Sequence, residues 1–240
     1  MNKGFPRTAK YDPEWMKANM MGPNAIMLLE RLSEHMGFSR EMRVLDLGCG
    51  RGITSVFLAR EFDVQVWATD LWISATDNFK RFKEAGVDEK VFPVHSEAHE
   101  LPYADDFFDA AVSIDAYHYF GAEKGYLETH LAKLVKPGGR IGIVVPGLSR
   151  EVGEGEIPKG LEKFWVEEFK DFHSVEWWKN LWDESPMVNV SHAENMADGK
   201  QIWYESIWRQ GEYGSDYDRE MLEADKDDIF TLIMISGVRI

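Results

Sequence analysis

The sequence holds one cysteine, Cys49, among 240 residues. A lone thiol excludes an intramolecular disulfide and a multi-cysteine metal cage. No run of about 18 apolar residues occurs, so no transmembrane helix is expected. The first residues, MNKGFPRTAKYDPEW, lack the apolar core of a signal peptide, and a cytoplasmic protein is expected. Positive charge is scarce. Lys and Arg number 27 against 42 Asp and Glu, a formal net charge of −15. Affinity for polyphosphates comes largely from Lys and Arg, so nucleic acid and anionic membranes are disfavoured as partners. Small neutral or cationic ligands stay open. Internal repeats and Pro/Ser-rich linkers are absent, and no H-E-x-x-H spacing suggests a metal.

What is present is a globular composition, 44% hydrophobic and 29% charged, long enough to bury a core without staples. Short β-branched runs alternate with helical periods. Strands are expected at 43–47, 64–68, 91–94, 108–114 and 140–145, and helices at 26–36, 53–62, 76–85 and 123–135. Lys136-Pro-Gly-Gly139 reads as a turn. This alternation implies βαβ units: an α/β fold with a doubly wound, mostly parallel sheet. Beyond Pro146 the texture changes. Aromatics crowd 164–182, a helical segment is expected at 202–208 and an acidic helix over 216–228. Strands at 188–190 and 229–238 suggest an antiparallel C-terminal pair, a hairpin at one sheet edge.

Val44-Leu-Asp-Leu-Gly-Cys-Gly-Arg-Gly52 is the sharpest motif. A buried strand runs into Gly48, Gly50 and Gly52 and then into a helix, a ligand-binding loop at the carboxyl edge of the first strand. A dinucleotide fingerprint would need glycine where Ile53 stands, and no P-loop Lys-Ser/Thr follows. Asp70 ends the second strand, where a carboxylate can accept from both hydroxyls of a ribose. Trp72 suits either an adenine face or the core.

With these residues the chain resembles the class I S-adenosylmethionine-dependent methyltransferases, in particular the small-molecule branch related to the ubiquinone-biosynthesis C-methyltransferases. Val44 to Gly52 matches the family's first motif and Asp70 its ribose-binding acid. Val94-His-Ser-Glu-Ala-His-Glu-Leu-Pro-Tyr103, followed by Asp105-Asp-Phe-Phe-Asp109, looks like its D-A-x-x-L-P-F motif with F-D after it. Leu134-Val-Lys-Pro-Gly-Gly-Arg140 resembles its turn into strand five. Four motifs in order over roughly residues 40 to 147 make the likeness specific.

The resemblance implies a seven-stranded Rossmann-like methyltransferase fold in one domain. Residues 1–40 would form an N-terminal helical lid, 41–147 the cofactor-binding core, and 148–240 an aromatic lid and the final strands. It implies S-adenosylmethionine (AdoMet) as cofactor, held by Asp46, Gly48, Cys49, Gly50, Asp70, Leu71, Trp72, Glu97, Ala98 and Asp115. Asp46 would sit near the methionine amino end. Glu97 stands where the family has Asp facing the adenine amino group; were it to turn away, the Ala98 N–H could hold the adenine. Cys49 belongs to the loop, with its side chain read as a small packing group.

The family's acceptor sites lie past strand four and in lids flanking the core. Here those are Ile114-Asp-Ala-Tyr-His-Tyr-Phe120, the segment Tyr11 to Asn24, and 164–182. His118 is the general-base candidate, with Tyr117 and Tyr119 orienting the ring, since His titrates near neutrality. The rival reading packs that ring under a helix. Tyr11, Trp165, Trp177 and Trp178 are the substrate-lid candidates; a satellite core cluster or a homodimer contact is the alternative. An aromatic lid in an acidic protein suits a cationic or aromatic acceptor. The expected activity is methyl transfer to a small molecule, with a non-catalytic AdoMet-binding sensor or partner protein as the rival.

Overall fold

The computed structural model describes residues 4–153, 155–207 and 216–240, without the Glu168 side chain. Trp208, at the end of one expected helix, lies outside them. One seven-stranded sheet organises the chain in the order β3-β2-β1-β4-β5-β7-β6. The strands are β1 (Arg43–Leu47), β2 (Gln65–Asp70), β3 (Val91–His95), β4 (Phe108–Ile114), β5 (Val135–Leu148), β6 (Val188–Asn195) and β7 (Phe230–Arg239). The first five pair in parallel, and β7 lies antiparallel to both β5 and β6. Among the described residues no helix is long and apolar enough to cross a membrane.

Alternation along the strands splits the core between two faces. Val44, Val112, Val144 and Leu232 pack on one side, with α2 (Ala25–Met36) and α3 (Ile53–Phe62). Leu45, Ala111, Ile143 and Ile233 pack on the other, with α5 (Val175–Asp183). Both faces are covered, as a central parallel sheet requires.

Local chemistry sets the helix ends. Asp12 caps α1 (Pro13–Asn19), with Pro13 in the first turn, and Asn24 caps α2 through Met27 N–H (3.3 Å). Asn24 N–H also donates to Ser206 Oγ (2.9 Å) in α6 (Gly199–Ile207), tying the segment between α1 and α2 to the C-terminal half. Ser74 caps α4 (Ala75–Glu84) through Asp77 N–H, and Ser174 caps α5 through Trp177 N–H.

Three expectations are corrected. The last two strands are no hairpin: α6 and α7 (Asp216–Ala224) stand between them, and β7 inserts between β5 and β6. The helix expected at 123–135 is a π turn, Leu127–Leu131, followed by a 3₁₀ turn, Ala132–Leu134. The Lys136–Gly139 turn lies inside β5 as an irregularity: β4 pairs Phe108 with Val135 and then Ala110 with Arg140.

Candidate cofactor and acceptor cleft

A cleft opens at the carboxyl ends of β1, β2, β3 and β4, where open α/β sheets bind ligands. Its described walls are the segment from Asn19 to Ala25, the glycine loop, the turn after β2, Ser96–His99, and Ile114–Ala116 with Tyr119 and Phe120.

The loop after β1 is left-handed at Gly48 (φ 75°), Gly50 (53°) and Gly52 (76°). A Cβ at Gly48 would stand 2.3 Å from the Ala116 Cβ, and one at Gly50 2.9 Å from Met21 Sδ. Glycine is therefore needed for conformation and for close approach of three cleft walls. Asp70 locks this loop. Its Oδ2 accepts from Gly50 N–H (2.7 Å), and its Oδ1 from the N–H groups of Trp72 and Ile73 (both 2.8 Å). A carboxylate has about four acceptor positions, so capacity for a ligand hydroxyl remains on Oδ2.

Asp46 does not line the cleft. It is buried behind the loop, and Thr54 and Ser55 of α3 donate to its Oδ2 (2.7 and 2.6 Å), while Oδ1 is buried without a partner. Burial pushes its pKa up to about 6, ahead of the lowering by those two hydroxyls. Cys49 lines the cleft but is buried, with its thiol pKa raised by desolvation. Leu71 and Trp72 line the cleft and are solvent-exposed, Trp72 to 66%. Glu97 and Ala98 also line it. The Glu97 carboxylate is turned onto His99, accepting from its backbone N–H and its ring Nδ1 (both 2.8 Å).

At the end of β4, Asp115 takes a left-handed conformation (φ 57°), its N–H donating to Val144 O (2.7 Å). Its carboxyl lines the cleft against Gly22, where a Cβ would fall 2.0 Å from Oδ2. Burial, reinforced by Asp218 of α7, raises its pKa to about 7.

The chain then makes a 3₁₀ turn over Tyr117–Tyr119. With three residues per turn, three successive side chains point in three directions. Tyr117 is fully buried against Trp178 and Tyr126. His118, 4% exposed, packs against Tyr119 and Phe172, and burial pulls its pKa down to about 3. Neither residue lines the cleft, and so depressed an imidazole is a poor base near neutrality. Tyr119, which the sequence reading placed in the acceptor segment only to orient the His118 ring, is the one that reaches it. It is 57% exposed and edge-on to Trp72 at 5.4 Å.

The lid candidates behave as packing residues. Tyr11 is buried against Trp15 and Phe57, and Trp165 packs on Phe169 and Phe230. Trp177 stacks on the His173 ring at 3.5 Å, and Trp178 is fully buried. None of the four lines the cleft, whereas Asn19, Met21, Gly22 and Pro23, within the expected N-terminal lid, do. They fall within the Tyr11 to Asn24 segment that the sequence singles out, although no residue in it is distinguished there as facing the cleft.

The chain matches a family described as a methyltransferase domain over residues 44–139. It is 29% identical over 144 residues to the 27-O-demethylrifamycin SV methyltransferase of Amycolatopsis mediterranei, covering 54% of this chain and 53% of that protein. The chain spans about half or less of the curated relatives it matches. Among solved structures it resembles phosphoethanolamine N-methyltransferase 2 of Haemonchus contortus in complex with S-adenosyl-L-methionine (TM-score 0.75, 18% identity, 99% of this chain and 58% of that one). It also resembles geranyl diphosphate C-methyltransferase of Streptomyces coelicolor A3(2), a complex with S-adenosyl-L-homocysteine (TM-score 0.71, 17% identity, 89% and 78%). The three names differ in acceptor, so the likeness reaches beyond the ubiquinone-related branch. Residues 44–139 thus match the methyltransferase-domain family, in a chain that shares the Rossmann-like fold of solved methyltransferases.

Proposed function

We propose that the protein transfers a methyl group from AdoMet to a small-molecule acceptor. The observation that carries this reading is Asp70, which grips Gly50 N–H and thereby joins the glycine loop and the β2 end into one wall, with acceptor capacity left for a ribose hydroxyl. The other residues fit the same cofactor. Exposed Leu71 and Trp72 offer an apolar face to a purine, and a carboxyl at Asp115 suits a positively charged group. When bound, AdoMet supplies an electrophilic methyl group, and the protein's task is positioning and exclusion of water.

Proton handling falls to Asp115 rather than His118. Its carboxyl lines the cleft and titrates near 7, the range in which a general base works best. Tyr119 and Trp72 present rings at the same cleft, and the net charge of −15 favours positive ligands. A cationic or aromatic acceptor is the class these groups suit. The single buried thiol suits a reducing compartment such as the cytoplasm.

Thermal shift and turnover test the reading together. AdoMet at a hundredfold excess over its dissociation constant adds about 2.7 kcal/mol and raises Tm, whereas NADH does not. With an accepted substrate, Asp115→Asn lowers kcat by about 10²–10⁴-fold and removes the limb near pH 7. A shift with NADH alone overturns the cofactor assignment. An AdoMet-binding protein that turns over no member of an amine, phenol and carboxylate panel is the non-catalytic sensor instead.

A further inference from the structure

The rim of the cleft carries a three-residue ionic cluster that methyl transfer does not use. His99 lies in the loop after β3. Its Nδ1 is 2.8 Å from Glu97 Oε1 and its Nε2 is 2.9 Å from Glu123 Oε2. Ionised carboxylates only accept, and a neutral imidazole has a single N–H. Two such contacts on opposite ring nitrogens require both nitrogens to donate, so the ring in this geometry is an imidazolium. Glu123 stands in the segment after the Tyr117–Tyr119 turn, beyond Phe120, which lines the cleft. The ring therefore bridges the loops that follow β3 and β4.

We propose that His99, as an imidazolium, is a positioning residue that clasps these two loops across the cleft rim, so that the cleft holds its ligand more tightly at low pH than at high pH. The identity of that ligand rests on the AdoMet reading above; the clasp itself does not.

Both carboxylates facing the ring favour its protonation, whereas a second imidazole, His130, opposes it whenever it carries charge. Glu97 comes from its own loop and Glu123 from the segment opposite. The Tyr126 and His130 rings, from the segment that includes the Leu127–Leu131 turn, lie edge-on at 5.1 and 5.0 Å. Hydrogen bonding to Glu97, then to Glu123, raises the His99 pKa despite partial burial, and the same contact lowers that of Glu97. A raised histidine pKa means that the clasp is complete below about 6.5 and is lost as pH rises through the higher folded value. Loss of one proton removes one of the two ring bonds. Glu123, 65% exposed against 41% for Glu97, is the partner that lets go. A neutral tie persists, because Tyr126 Oη donates to Ala98 O (2.9 Å), so the loops loosen without separating. Water screens these side chains, and the effect on affinity is about two- to fivefold, the range of an exposed ion pair.

The test pairs a ring titration with a binding curve. In the wild type, the His99 ring protons followed by NMR titrate above about 6.5, and Glu123→Gln lowers that midpoint. Calorimetry with S-adenosylhomocysteine between about pH 6 and pH 8.5 covers the same window. Wild-type affinity falls as pH rises, and the fall is about two- to fivefold smaller in Glu123→Gln and in His99→Gln. Asp115 also titrates in this range, so the difference between wild type and variants is the readout, not the wild-type slope. His99 titrating at or below the free value, or variants that keep the whole wild-type slope, overturns the clasp. If S-adenosylhomocysteine binds at no pH, the AdoMet reading fails while the ring titration still decides the clasp.

Discussion

Two aromatic regions of this molecule have opposite fates. Trp72 and Tyr119 lie in the turns that follow β2 and β4, and both stand exposed at the cleft. The dense run from Phe164 to Trp182 is almost all interior: Phe164, Phe169, Phe172, Trp178 and Trp182 are buried. Aromatic density therefore marks where apolar area had to be covered, here around β5 and β7. Position relative to the strand ends marks where a ligand can reach. Large rings stabilise whichever surface they cover, so number alone does not separate core from site.

The strongest way to break this contrast is Trp178→Ala. Removing a fully buried indole costs about 3–5 kcal/mol, read as a fall in Tm or denaturation midpoint, with AdoMet affinity of the folded fraction unchanged. A large loss of affinity at unaltered stability would return this stretch to the ligand. The second concerns His118. Its folded pKa, near 3, is depressed, so its contribution is present above about 6.5 and is lost as pH falls towards 3. His118→Phe should flatten the loss of stability across that window, of the order of a few kcal/mol, and leave neutral-pH turnover nearly intact. An abolished turnover would restore it as the base.

Asp70→Ala sharpens the comparison from the cleft side. It removes the ligand acceptor and three backbone hydrogen bonds together, weakening AdoMet binding by about 2–3 kcal/mol in calorimetry. Stability also falls, because the loop loses its lock; the sequence alone predicts a neutral effect on folding, since a strand-end carboxylate reads only as a binding group. Trp72→Ala gives the smallest change. Stability stays within about 0.5 kcal/mol, while affinity drops by about 1–3 kcal/mol if the indole covers a purine. Unchanged affinity would make Trp72 a rim residue of the acceptor site.

The sequence was most legible where local rules and tertiary position agree. β1 and α3 fall on the expected 43–47 and 53–62, because a buried run, three glycines and a helical period leave one solution. The Asp12-Pro13 start of α1 is a local signal too, but the helix behind it is only seven residues long and shows no sustained apolar period. The α5 helix carries local signals of its own, the Ser174 cap and the four-residue spacing of Trp178 and Trp182, inside a run whose aromatic density reads equally as a lid. At the site, residue types were readable but directions were not. Asp46 and Asp70 are both strand carboxylates, yet one faces α3 hydroxyls and the other the loop and cleft. Within Tyr117–Tyr119 the turn decides which side chain meets the ligand. Glu97 is withdrawn by a partner two residues on, His99, which no motif encodes.

The strand order has a consequence for how the chain is made. Among the described residues, the cleft walls run from Asn19 to Phe120, so all of them are synthesised before β5 is complete and long before β7. During that interval β4 presents an unpaired, apolar edge, the kind of surface that draws other strands. Cofactor meeting the nascent chain would find its walls already synthesised, and β7, the last of the sheet's strands in chain order, inserts between β5 and the edge strand β6. Truncation near the carboxyl terminus should accordingly harm solubility more than its distance from the cleft suggests.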